Sequence, residues 1–123
     1  LRCPSCASGA ITVGALGERN KIFDYSSRGP VGGSKPNIVA PGRVVINDFP
    51  FGGTSCAAPV VAGTVAAVIS NVKDVGLIYN ALYQSAEDIQ QPRHLQGMGA
   101  LNIEKFTEVI KNATVDRASK GQE

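Results

Sequence analysis

Charge of either sign is scarce in this chain and never gathers. Asp, Glu, Lys and Arg make up 18% of its 123 residues, with 12 basic side chains against 10 acidic for a net charge of +2. No basic stripe or cluster occurs, which removes the electrostatic footprint of a nucleic-acid binder or a membrane-surface protein. Between Asp48 and Lys73 there is no charge at all. Even there a membrane span is lacking. The strongly apolar part runs only from Cys56 to Ile69, interrupted by Pro59 and Gly63. As a helix it would reach about 21 Å at 1.5 Å per residue, against a hydrocarbon core of about 30 Å. It reads instead as the buried helix of a globular domain. An initiator methionine is also missing, and "LRCPSCASGA" lacks the basic start and apolar stretch of a signal peptide. The expectation is that residues lie upstream of Leu1 in the parent gene product. No internal repeat is present.

The length fits one domain able to bury an ordinary core, and the 43% hydrophobic content agrees. Residues 1–111 read as that domain, and the polar end, 112–123, as a frayed tail. "AITVGAL" (10–16) reads as a strand covered on both faces, and "NIVA" (37–40) as a second, stopped by Pro41-Gly42. "RVVIND" is a shorter third piece, followed by a tight turn at "PFGG" (50–53). From Ser55 to about Val72 the pattern predicts a long helix, apolar on every side and hence central, with Pro59 near its first turn. Ile78, Leu82, Ala86 and Ile89 form the stripe of an amphipathic helix. "QPRHLQG" reads as a polar loop, "QGMG" as a turn, and Asn102 as the cap of a last helix bearing Ile103, Phe106 and Ile110. Strands followed by helices make an α/β class with too few strands for a complete wound sheet.

The chemistry concentrates in "GGTSCAAPVVAG" (52–63). A serine at a helix start has a plain structural role, capping free backbone N–H groups. That role is the commoner one for a serine so placed, but three details favour a catalytic one. Gly52 and Gly53 clear side chains where a substrate backbone would approach, and the helix N-terminus offers N–H groups to a developing oxyanion. Thr54 can serve as the cap, leaving Ser55 free to point outward.

This segment resembles the nucleophile motif of the subtilisin-like serine proteases, G-T-S-M-A-x-P-x-V-A-G, through Gly53, Thr54, Ser55, Ala57, Pro59, Val61, Ala62 and Gly63. "DYSSRGP" is similar to that family's S-S-x-G-P turn through Ser26, Ser27, Gly29 and Pro30. "KPNIVAPG" is similar to its K-P-D-I-x-A-P-G strand through Lys35, Pro36, Ile38, Ala40, Pro41 and Gly42. "AITVGAL" and "GMGALNIEKF" follow the family order as well, the latter with Phe106 where alanine is usual. The resemblance runs from about residue 4 to 111. It implies part of a three-layer fold of parallel strands, one long buried helix and C-terminal helices. It also implies Ser55 as nucleophile, its own backbone N–H as an oxyanion donor, a peptide or protein substrate, and a secreted location. No cofactor or metal ligand is expected from the residues, although the family fold permits calcium.

In that family the aspartate and histidine precede the serine. No histidine precedes Ser55, and no asparagine occurs before Asn20 to act as the side-chain oxyanion donor. The resemblance therefore implies the C-terminal portion of a catalytic domain, inactive alone. An apolar strand face left exposed by the missing portion is expected to pair with it or to self-associate. Two other readings compete. One is a non-catalytic interaction or structural module built from this subdomain. The other takes "GTSCA" as a G-x-S-x-G elbow with Asp88 and His94 completing a triad, although Ala57 stands where that motif needs glycine. Cys3 and Cys6 form a lone CxxC, read first as free thiols, then as a local disulfide, and last as redox or metal chemistry. Cys56 reads as a small buried hydrophobe.

Overall fold

A computed structural model of the chain describes residues 1–121. Its central unit is a parallel pair, β1 (Val13–Leu16) and β2 (Ile38–Pro41), in register Val13 with Ile38 and Ala15 with Ala40. Val13, Ala15, Ile38, Val39 and Ala40 are buried, so both faces of this pair are covered. The helix α1 (Thr54–Ile69) lies against β1 and β2. Two further helices, α2 (Val75–Ser85) and α4 (Ile103–Gly121), pack on each other, and a one-turn helix, α3 (Arg93–Gln96), lies between them in sequence. Parallel strands with helices around them are the α/β arrangement that the sequence predicts.

α1 differs from its sequence reading. Only Ala57, Val61 and Thr64 are buried, a single stripe at helical spacing, while Ala58, Pro59, Ala62, Gly63, Ala66 and Ala67 are exposed. Periodicity fails in a segment apolar all round, so the sequence alone does not say which stripe meets the sheet. The exposed apolar surface therefore lies on the outer side of α1, not on the faces of β1 and β2 as expected. Pro59 stands inside the helix, beyond its first turn. Without an N–H, it gives no i→i−4 bond to the Ser55 carbonyl.

A second apolar exposure comes from the antiparallel hairpin of β3 (Arg43–Ile46) and β4 (Phe49–Gly52). Val45, Ile46, Phe49 and Phe51 are all at least half exposed. The turn expected at "PFGG" falls earlier, at Asn47 and Asp48, whose φ values of 51° and 66° are left-handed. Asn and Asp tolerate that region, and two such residues in succession match the twist of a two-residue hairpin. Pro50 is acceptable in β4 because the ribbon has only two strands.

α2 starts where Asp74 accepts a bond from the Leu77 N–H (3.1 Å) and ends at Ser85, before the Ile89 of the expected stripe. Glu87 and Ala100 then exchange backbone bonds at 2.9 and 2.7 Å, which takes the chain out of the helix. Gly99 makes this possible. It sits at φ +126°, where an added Cβ would fall 2.2 Å from the Glu87 carbonyl oxygen. The "QPRHLQG" stretch holds α3 rather than loop alone. Asn102 caps α4 as predicted, its Oδ1 accepting from Lys105 N–H at 2.9 Å. Phe106 and Ile110 are buried, whereas Ile103 is exposed. Residues 112–121, expected to fray, continue α4; Gln122 and Glu123 lie outside the described residues.

An ion pair ties the last helix to the start of α2: Arg117 donates to Asp74 Oδ2 at 2.6 Å. That guanidinium, with the Leu77 N–H, holds the Asp74 carboxyl below its usual pKa. A depressed folded-state value makes the stabilisation present above the unfolded pKa and lost as pH falls through the folded one. The window is thus acidic, below about pH 4. In thermal melts between pH 7 and 2, Asp74→Asn is expected to flatten the acid-side fall in Tm; a slope equal to the wild type's would exclude this pair as a contributor.

Candidate active site

α1 begins at a glycine for a conformational reason. Gly53, the N-cap, has φ +122° and ψ 179°, a region that L side chains rarely adopt. Its N–H donates to the Gly42 carbonyl at 2.8 Å, which fixes the helix start to the end of the sheet. Gly52 is needed for space. A Cβ there would lie 2.7 Å from the Tyr25 hydroxyl. Tyr25 is in turn stacked on Phe23, ring centroids 4.7 Å apart. Two glycines thus bring the chain tightly around an aromatic pair and into the helix.

Ser55 is the second residue of α1 and is exposed. Thr54 is the first, not the cap, and no side chain caps this helix. Both halves of the capping reading are thereby corrected, since glycine occupies the N-cap. Among the described residues the Ser55 hydroxyl makes no hydrogen bond. The first backbone bonds of the helix are Cys56 N–H and Ala57 N–H to the Gly53 carbonyl, at 3.0 and 3.3 Å. The N–H groups of Thr54 and Ser55 precede these and have no acceptor among the described residues. A free hydroxyl and free amides at the positive end of a helix dipole therefore share one point on the surface.

Ser55 separates two cavities. One, of about 390 Å³, reaches past Thr54 to Pro4, Ser5, Thr12 and Ser27. The other, of about 570 Å³, lies between the hairpin and α1 and is lined by Val44, Ile46, Phe51, Cys56, Pro59 and Val60. Neither has a charged side chain in its wall. Cys56 is half-buried in the second, so its thiol faces a groove instead of the core expected for it. The sequence does not predict the wall of this groove, because "PFGG" has the composition of a turn and lies largely in β4.

The competing triad is not assembled. The Asp88 carboxylate is engaged by Gln96 Nε2 at 2.9 Å and Gln90 N–H at 2.8 Å, which lower its pKa. His94 sits on α3, its carbonyl accepting from Gly29 N–H at 3.0 Å, and lines neither cavity beside Ser55. Cys3 and Cys6 are joined by a disulfide, which corrects the leading expectation of free thiols. For calcium, no group of three or more His, Cys, Asp or Glu side chains comes together among the described residues. No helix among them is long and apolar enough to cross a membrane.

Comparison with known proteins agrees with this fold. The chain is 33% identical over 115 residues to pyrolysin of Pyrococcus furiosus, an alignment covering 74% of the chain and 8% of the relative. It is 36% identical over 113 residues to the minor extracellular protease Vpr of Bacillus subtilis, covering 72% of the chain and 14% of that protein. The structure superposes on the CspB protease of Clostridium perfringens with a TM-score of 0.72 and 27% identity, covering 89% of this chain and 28% of that one. The chain thus spans a minor part of each of these three proteins. Residues 1–99 match the model of the Subtilase family. This match takes in both central strands, the hairpin, α1 and Ser55, and the chain belongs to the subtilase family.

Proposed function

We propose that this chain is the serine-bearing part of a serine endopeptidase and that Ser55 is its nucleophile. The observation that carries this reading is the unbonded, exposed Ser55 hydroxyl at the second position of α1, between two uncharged cavities. In the reaction, a base removes the hydroxyl proton as Oγ attacks the peptide carbonyl. The carbonyl oxygen takes up the negative charge and is met by the Ser55 N–H and the positive end of α1. Collapse breaks the C–N bond, the amine leaves with a proton, and water later hydrolyses the ester left on Ser55.

The base is the piece this chain does not offer. No histidine precedes Ser55, and His94 lines neither cavity. In the proposal, the aspartate, the histidine and a side-chain oxyanion donor come from sequence outside these 123 residues and complete the cleft along the exposed side of α1. The substrate is a peptide or protein. A secreted location is supported by the name of the Bacillus subtilis relative, an extracellular protease, and by the Cys3–Cys6 disulfide, a bond that persists in oxidising compartments.

The isolated 123 residues are therefore expected to be inert. Peptide hydrolysis by the purified chain, checked for helix content by circular dichroism, should equal the buffer blank, while the full-length protein turns over. Hydrolysis by the folded chain alone at the full-length rate would refute the assignment of the base to outside sequence.

A further inference from the structure

The cavity on the β1 side of Ser55 has a wall of unusual construction. It runs from Thr54 and Ser55 at the tip of α1 to Pro4 and Ser5. Those two residues are the ones enclosed by the Cys3–Cys6 disulfide. Ser5 is also anchored from behind. Its carbonyl accepts from Thr12 Oγ1 at 2.7 Å, and the buried Thr12 gives its N–H to Asn37 Oδ1 at 2.7 Å. Lys35 Nζ braces the same point, donating to Asn37 Oδ1 at 2.8 Å and to the Ala10 carbonyl at 2.5 Å. One side of the short loop is thus tied to the end of the β1–β2 sheet. The other is closed by the disulfide and by two turn bonds, Ser5 N–H to Arg2 and Ala7 N–H to Pro4, both 2.9 Å. Cys3 and Cys6 are themselves exposed, so a reductant in solution reaches them.

We infer that the Cys3–Cys6 clip fixes the shape of a substrate side-chain pocket beside Ser55, and that its reduction relaxes the selectivity of that pocket. The inference rests on the proposed role of Ser55. The pocket is built from apolar groups (Pro4, Ile11, Val13, Ala58) and hydroxyls, which suits an uncharged side chain. A rigid wall discriminates between side chains because a misfit is not relieved by movement. A loop freed of its cross-link adapts to more shapes and loses preorganisation. Reduction takes a dithiol from solution. One of its thiolates attacks a cysteine sulfur, breaking the Cys3–Cys6 bond and releasing the other cysteine as a thiol. Its second thiolate then displaces the first cysteine from the mixed disulfide. The dithiol is oxidised by two electrons to its cyclic disulfide, and its two protons end on Cys3 and Cys6.

The test uses the full-length protein and peptides that differ only in the residue on the acyl side of the scissile bond: Phe, Leu, Ala or Glu. Expected is a roughly tenfold narrowing of the spread in kcat/KM between best and worst substrate after treatment with dithiothreitol. The Cys3→Ser/Cys6→Ser double variant should match it. Thr12→Val, which cuts the anchor of Ser5 but keeps the disulfide, should narrow the spread in the same direction. Labelling of Ser55 by a small fluorophosphonate, which needs no side-chain pocket, should stay within about twofold after dithiothreitol and in the Cys3→Ser/Cys6→Ser variant. A spread unchanged by dithiothreitol, with both thiols verified by mass spectrometry, overturns the inference even if a variant fails to fold. Absence of Ser55 labelling in the untreated protein overturns the nucleophile assignment, and the pocket falls with it; the two failures are told apart by that label.

Discussion

Replacing Ser55 with alanine in the full-length protein is expected, under the proposed nucleophile role, to lower kcat by on the order of 10⁶, the loss found when the triad serine is removed from subtilisin, a member of the same family. The size follows from what is removed. The acyl-enzyme route is lost altogether, and the residual rate comes from whatever transition-state stabilisation the amides at the start of α1 still give to direct attack by water. Stability should barely change. The hydroxyl is exposed, makes no hydrogen bond among the described residues and does not cap α1, so its loss is expected to cost less than about 0.5 kcal/mol. Activity and Tm measured on the same preparation therefore separate chemistry from structure. A large fall in Tm would assign Ser55 a structural task, and a kcat within tenfold of wild type would remove it from the mechanism.

The largest stability effect is expected on a different helix. Phe106, on α4, is fully buried in the cluster that also contains Ile38, Leu82 and Ile110. Phe106→Ala removes a ring from the centre of the domain and leaves a void whose walls belong to different elements, so they close on it only in part. The expected loss is about 3–5 kcal/mol. That is a large fraction of the roughly 5–15 kcal/mol that holds a domain together. The sequence pattern that this segment resembles usually has alanine here, which makes the prediction sharp. If the surroundings were shaped for alanine, the ring would be superfluous. Urea denaturation decides: a clearly lower midpoint for Phe106→Ala is expected, and an unchanged midpoint would show that the neighbours collapse around the smaller residue.

How far the sequence could be read depends on what each residue type commits to locally. β1 and β2 were legible because short β-branched runs bounded by Gly and Pro have few alternatives, and the Asn102 cap because an asparagine before an apolar-periodic segment does a defined job. Ser55 was legible as an exposed residue at a helix start. Its neighbour was not: the N-cap is Gly53, since a positive φ outranks the hydroxyl of Thr54 at that point. The hairpin is hard to see in the sequence because Pro50, Gly52 and Gly53 carry turn character, while the true turn at Asn47 and Asp48 contains neither proline nor glycine. The exposed side of α1 was beyond reach for a different reason. A helix apolar on every side records that all of it is to be covered, not by what. The polar end of α4 misled in the opposite sense, because a polar, charged surface is compatible with a helix whenever one stripe, here through Phe106 and Ile110, is anchored.

The most direct test of the central claim is covalent. The full-length protein is treated with a fluorophosphonate, digested and mapped by mass spectrometry. The account predicts one adduct per molecule, on the peptide containing Ser55, formed rapidly and absent both from the Ser55→Ala protein and from the isolated 123 residues. Rapid modification of a different residue, or of the isolated chain at the same rate, would contradict it.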